Sequence, residues 1–265
     1  MILHFSLSVI YTTILIKQIK LNNIMYELSD IIGHQLPQNE MAIKLLELYK
    51  AKWDVCHDNI LMRMECALPF LMVPTDAYCN SLKKIMIIGQ ETNSWAGELD
   101  NHEYQTPENL MKLYDLFVNI SRGYNSPFWS FINTIQEEVS IDTQIIINNV
   151  VKIGKRGQTG CDKNINNLIS QYFNILLEEI NILKPDMLIF LTGPRYDKYI
   201  ETFVGDFELE QLDPFIICRK FAQIKFDNKE LPVAYRCYHP RYLRMTRNFD
   251  NYLKIILDLI RNKIY

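Results

Sequence analysis

Two short runs carry side chains fit for acid–base chemistry. Gly89-Gln90-Glu91 follows the apolar stretch Ile85-Met86-Ile87-Ile88 and sets a carboxylate on the loop where a strand ends. Tyr238-His239-Pro240-Arg241 supplies an imidazole in a similar position. A fixed carboxylate can orient a water or stabilise a developing cation, and an imidazole can donate to a developing anion. A third run, Ile145-Ile146-Ile147-Asn148-Asn149, ends in two side-chain amides. Strand alternation turns only one of these two amides inward.

Strands must place these groups, because ligands of open α/β sheets bind beyond the C-terminal ends of the strands. The spacing of apolar residues predicts one or two helices over 41–64 and a strand over 84–89. Thr106-Pro107 then starts a helix that continues over 110–120. Further helices are expected over 128–139, 165–183 and 248–262, and further strands over 143–151, 186–192 and 232–238. Strands alternate with helices, and polar residues recur where strands end. The expected architecture is three layers, α/β/α, around a mostly parallel sheet. Chemistry should collect along one edge, from 90–95, 148–152, 193–195 and 239–244.

With 265 residues, 48% of them hydrophobic and 22% charged, the chain has the composition of an ordinary globular protein. Its formal net charge of −3 excludes general polycation behaviour, so any affinity for nucleic acid must come from a local basic face. Cys56, Cys66, Cys79, Cys161, Cys218 and Cys237 show no paired spacing. They read as reduced thiols of a cytoplasmic protein, with neither a disulfide frame nor a metal site. The apolar N-terminus has no basic flank or cleavage signal, and it is shorter than the roughly 20 residues that span a bilayer. Residues 1–24 are therefore set aside as an extension before a single domain over 25–265. No membrane association is expected.

Three motifs in order resemble the uracil-DNA glycosylase superfamily: Gly89-Gln90-Glu91-Thr92-Asn93-Ser94, Ile145-Ile146-Ile147-Asn148, and His239-Pro240-Arg241-Tyr242-Leu243. The segment Thr106–Tyr114 is similar to the helix that follows the first motif in that family. The resemblance spans roughly 84–260 and implies that family's fold and N-glycosidic bond cleavage on DNA. By resemblance, Glu91 faces the sugar, His239 assists the leaving base, and Asn148 reads the flipped base with Asn149 in reserve. Gln90, Asn93 and Asn149 join the base site, and either Trp95 or Phe128 is the stacking platform. Lys152, Lys155, Arg156, Arg241, Arg244 and Arg247 are the expected phosphate contacts, together with Arg236 beside them. Leu243 matches the apolar wedge that replaces an extruded base.

Uracil-specific members carry Asp-Pro-Tyr where this chain has Glu91-Thr92-Asn93, and Ser where it has Arg241. The bulky gate is gone, which predicts a larger base. The resemblance therefore implies a monofunctional glycosylase for a bulky 5-substituted cytosine, such as glucosylated hydroxymethylcytosine of phage DNA, in antiviral defence. Uracil excision in base excision repair is the alternative, and a non-catalytic DNA-binding relative or a nucleoside hydrolase or transferase are further ones. No motif lysine is placed to form a Schiff base, and no cofactor is expected. DNA, duplex or single-stranded, is the expected partner of a monomer.

Overall fold

The structure, a computed structural model, describes residues 26–262 apart from 93, 94, 100, 159 and 161. The extension 1–24 and Asn93 lie outside the described residues. Six strands form one sheet: β1 (Lys83–Gly89), β2 (Thr143–Asn149), β3 (Met187–Leu191), β4 (Phe207–Glu210), β5 (Phe221–Phe226) and β6 (Val233–Cys237). Their order is β2-β1-β3-β6-β5-β4. The pairs β1–β2, β1–β3 and β3–β6 are parallel, while β5 runs antiparallel to both β6 and β4.

β1 buries five consecutive residues and β3 all five of its own. Such unbroken burial is what a parallel strand shows when helices cover both faces. The chain is thus an α/β protein with a mostly parallel central sheet. Register puts the C-terminal ends of the parallel strands level, with Gly89 opposite Asn149 and Leu191 opposite Cys237. All three motifs leave the sheet at this edge.

Local signals account for several elements. Thr106 caps the Pro107–Tyr114 helix by accepting from the Asn109 N–H. Ser126 does the same for Pro127–Glu138, again with Pro in the first turn. The helix expected over 165–183 is instead two, Lys163–Tyr172 and Leu176–Leu183, separated where Phe173 leaves helical geometry at φ −143°, ψ 38°. The hairpin β4–β5 was not anticipated. Nor was the helical form of Pro240–Met245, which His239 caps through its own side chain.

Candidate active site

A cavity of about 840 Å³ opens at the C-terminal edge of the sheet. Gly89, Gln90, Glu91, Thr92, Trp95, Phe128, Asn149 and His239 all line it. Gly89 is required by close approach: a Cβ there would lie 2.5 Å from Asn149 Oδ1 and 3.3 Å from the Phe128 ring. The absent side chain lets the amide and the ring meet over the end of β1. The Phe128 ring lies parallel to the imidazole of His239, with centroids 5.4 Å apart and planes 12° apart. Asn149, Phe128 and His239 therefore form one contiguous wall.

Glu91 is half-buried beside this wall. Its Oε1 accepts from the Gly160 N–H at 2.8 Å, and its Oε2 accepts from the Tyr196 hydroxyl. The carboxylate is fixed from two directions, by a loop that follows β2 and by a residue that follows β3. A second glycine permits this arrangement, since a Cβ on Gly154 would fall 2.2 Å from the Thr92 carbonyl oxygen. Gln90 faces the cavity while its Nε2 donates to the Thr192 carbonyl at 2.8 Å, tying β1 to the end of β3.

His239 is kept neutral. Burial, helped by the nearby Arg241 charge, pushes its pKa down from 6.5 to about 4. Its Nδ1 accepts from the Arg241 N–H at 3.2 Å, which leaves the ring proton on Nε2. A neutral imidazole with its proton at Nε2 is a hydrogen-bond donor and not a strong acid.

Several expected site residues lie elsewhere. Asn148 does not line the cavity. It is fully buried, and its Nδ2 donates to Glu179 Oε2 at 3.0 Å while its Oδ1 accepts from the Lys152 ammonium at 2.6 Å. Its Oδ1 also accepts from the Asn149 N–H at 2.8 Å. Alternation along β2 thus sends Asn149, the reserve choice, into the cavity. Lys152 is no phosphate contact either: it is 1% exposed and pairs with the buried Glu179 at 2.7 Å. Arg236 is buried on β6, where its guanidinium meets Asp197 at 3.1 Å and donates to the carbonyls of Cys218 and Arg219. Leu243 is 1% exposed, because the Pro240–Met245 helix turns it inward, so it is no exposed wedge.

Arg241, Arg244 and Arg247 are exposed, and Arg241 lines the cavity. Arg244 stacks on the Phe249 ring at 4.5 Å and reaches Ser130 Oγ at 3.4 Å. Lys155 is half-buried and its backbone forms an antiparallel β-bridge with Cys66, and the exposed Arg156 lines a separate small cleft. Arg195, Tyr196, Lys198 and Tyr199 also line the main cavity. Beyond Arg195 these were not singled out from sequence, although a basic and aromatic cluster directly after a predicted strand end was the available signal.

The cavity extends past the wall into an aromatic chamber. Trp95 meets Phe70 edge-on at 4.9 Å and Phe117 at 5.5 Å, and Phe117 in turn meets Tyr124 and Trp129. The buried Trp95 Nε1 and Thr92 Oγ1 find no hydrogen-bond partner among the described residues. Among those residues no cluster of His, Cys, Asp or Glu could hold a metal ion, and no helix is long and apolar enough to cross a membrane.

Residues 77–260 match the family model described as the Uracil DNA glycosylase superfamily. No curated protein gives a significant match.

Proposed function

The chain belongs to the uracil DNA glycosylase superfamily, a family of DNA glycosylases, and from that premise we propose that it hydrolyses the N-glycosidic bond of a base turned out of DNA. One observation carries the reading: a fixed carboxylate, a side-chain amide, a flat aromatic ring and a neutral imidazole face one cavity at the sheet edge.

In the proposed reaction the base stacks on Phe128, whose ring borders both the Asn149 amide and the imidazole. Asn149 hydrogen-bonds the base edge. As the glycosidic bond lengthens, positive charge grows on the sugar and negative charge on the base. Glu91 stabilises the first and orients the attacking water, while the Nε2–H of His239 donates to the base oxygen that accumulates the second. The contacts from Gly160 and Tyr196 hold the carboxylate in place before substrate arrives, which removes a reorganisation cost from the chemical step.

We further propose that the base is a pyrimidine with a bulky polar substituent, such as a glucosylated hydroxymethylcytosine of phage DNA. The cavity volume lies in the upper part of the roughly 300–1,000 Å³ that encloses a drug-sized ligand, far more than a bare pyrimidine fills. The aromatic chamber around Trp95, Phe117 and Tyr124 offers faces for a sugar ring. Thr92-Asn93 replaces the bulky gate of uracil-specific relatives.

The test is to incubate duplexes carrying uracil, hydroxymethylcytosine or its glucosylated form and to score alkali-labile abasic sites. Excision of the glucosylated base is expected, and Glu91→Gln should slow it at least about 100-fold with DNA binding retained. Release of uracil alone would overturn the substrate assignment, and no abasic site on any duplex would overturn the glycosylase.

A further inference from the structure

The β4–β5 connection, residues 211–220, stands at the same edge as the proposed active site. β5 runs antiparallel to β6 and begins at Phe221, opposite Cys237, so the connection projects beside Tyr238 and His239. At its tip the Phe215 side chain is 94% exposed, flanked by exposed Leu212 and Ile217. An aromatic ring left in water forgoes its burial energy, and the turn that holds it out is well made. Asp213 Oδ1 accepts from the Phe215 N–H at 2.7 Å, the Asp213 carbonyl accepts from Ile216 N–H at 3.0 Å, and Ile217 O accepts from Lys220 N–H at 2.8 Å.

The foot of the loop is braced from within. The buried Arg236 donates to the carbonyls of Arg219 at 2.9 Å and Cys218 at 2.8 Å. The same guanidinium pairs with Asp197, the neighbour of Tyr196, whose hydroxyl holds Glu91. The loop is thus clamped to the framework that carries both Glu91 and His239.

Its surroundings are cationic. Arg219 and Lys220 are exposed at its foot, and Arg241, Arg244 and Arg247 are exposed on the segment that follows His239. Two nearby carboxylates are engaged, Asp213 within the turn and Glu210 with Lys225 at 3.1 Å. An apolar ring among cations fits a base stack bordered by phosphates. With Leu243 buried, the residue expected to fill the gap left by an extruded nucleotide is out of reach of the duplex.

We propose that Phe215 is the residue inserted into duplex DNA where the target nucleotide is turned out, so that the β4–β5 loop is a second DNA-contacting element of the site. This inference rests on the glycosylase reading for its setting. The probe is a duplex with a tetrahydrofuran abasic analogue and a fluorescent base analogue beside it, which contains no scissile target. The full chain should bind this duplex and raise the emission of the reporter by unstacking it. Phe215→Ala should weaken binding about tenfold and remove the emission rise, while Phe215→Trp retains both. Binding to single strands and the salt dependence should not change, because no charge is altered.

Equal affinity of Phe215→Ala and the parent for the probe, or an equal loss on single and double strands, overturns the wedge. If no base is excised from any duplex yet the abasic probe is held through Phe215, the glycosylase reading fails and the wedge stands. If excision proceeds in Phe215→Ala as in the parent, the reading stands and the wedge fails.

Discussion

The protonation state of His239 decides which chemistry the site can do. In the proposed reaction a cationic imidazole would hand its proton to the leaving base, whereas a buried neutral ring would keep its proton and stabilise an anion by donation alone. The shift also leaves a thermodynamic mark. The folded pKa of about 4 lies below the ordinary 6.5, so between these values the unfolded chain binds more protons than the folded one. Stability contributed by the neutral ring is therefore fully present above about pH 6.5 and is lost as pH falls toward 4. Urea unfolding followed from pH 7 to pH 5 should show this loss, approaching about 1 kcal/mol per pH unit, and His239→Gln should remove that part of the slope. In the folded chain, NMR titration of the ring should give a midpoint near 4 with Nε2 protonated above it. A midpoint near 6.5 would mean that a charged ring faces the cavity and would move the mechanism toward proton transfer.

At the scale of elements, the end of β2 is held by a charged network that never touches the cavity. Glu179, on the Leu176–Leu183 helix, takes the Lys152 ammonium at 2.7 Å, the Tyr49 hydroxyl at 2.8 Å and the Asn148 amide at 3.0 Å, all of them buried. The Tyr49 hydroxyl also accepts from the Met72 N–H at 3.2 Å. Burial pushes the Lys152 pKa down, and the Glu179 charge opposes that shift. Removing one partner strands the other, so Lys152→Met should cost about 3–5 kcal/mol in denaturant unfolding, while the double replacement Lys152→Met with Glu179→Leu should recover much of it. A double-variant loss equal to the sum of the losses of Lys152→Met and Glu179→Leu taken singly would show that the pair is not coupled.

This network also shows where sequence reading stops. A lysine just past a strand end looks like a phosphate contact, because burial of a charge depends on a glutamate that arrives from a distant helix. The strand ends themselves were legible, since continuous apolar runs closed by Gly-Gln-Glu, Asn-Asn and Tyr-His announce a parallel sheet and its edge. The break between two helices at Phe173 was not. Ile165, Ile169, Phe173, Leu176, Ile180 and Leu183 keep three- and four-residue steps straight across it. Leu243 was misplaced for a related reason: motif order locates a residue along the chain, but the helix begun at Pro240 decides which way it points.

At the scale of the whole molecule, a chain of net charge −3 must gather its cations on one side to meet a polyanion. The exposed Arg195, Lys198, Arg219, Lys220, Arg241, Arg244 and Arg247 all stand on segments that leave or border the C-terminal edge of the sheet. Lys44 serves as a counterexample. It sits on the Glu40–Cys56 helix paired with Glu40, and the cap of that helix, Asn39, bonds Asp76, whose own short helix runs into the start of β1. Lys44 is thus tied to the opposite edge. Each phosphate neutralised releases counterions, so the logarithm of affinity should fall with the logarithm of salt by about 0.9 per contact. Arg244→Gln or Arg219→Gln should flatten that slope by about one contact and weaken binding alike for every duplex sequence. Lys44→Gln should leave slope and affinity unchanged. Fluorescence anisotropy across a salt series separates the two edges, and a slope that responds equally to Lys44 and Arg244 would mean that DNA does not meet the molecule at the face where the cavity opens.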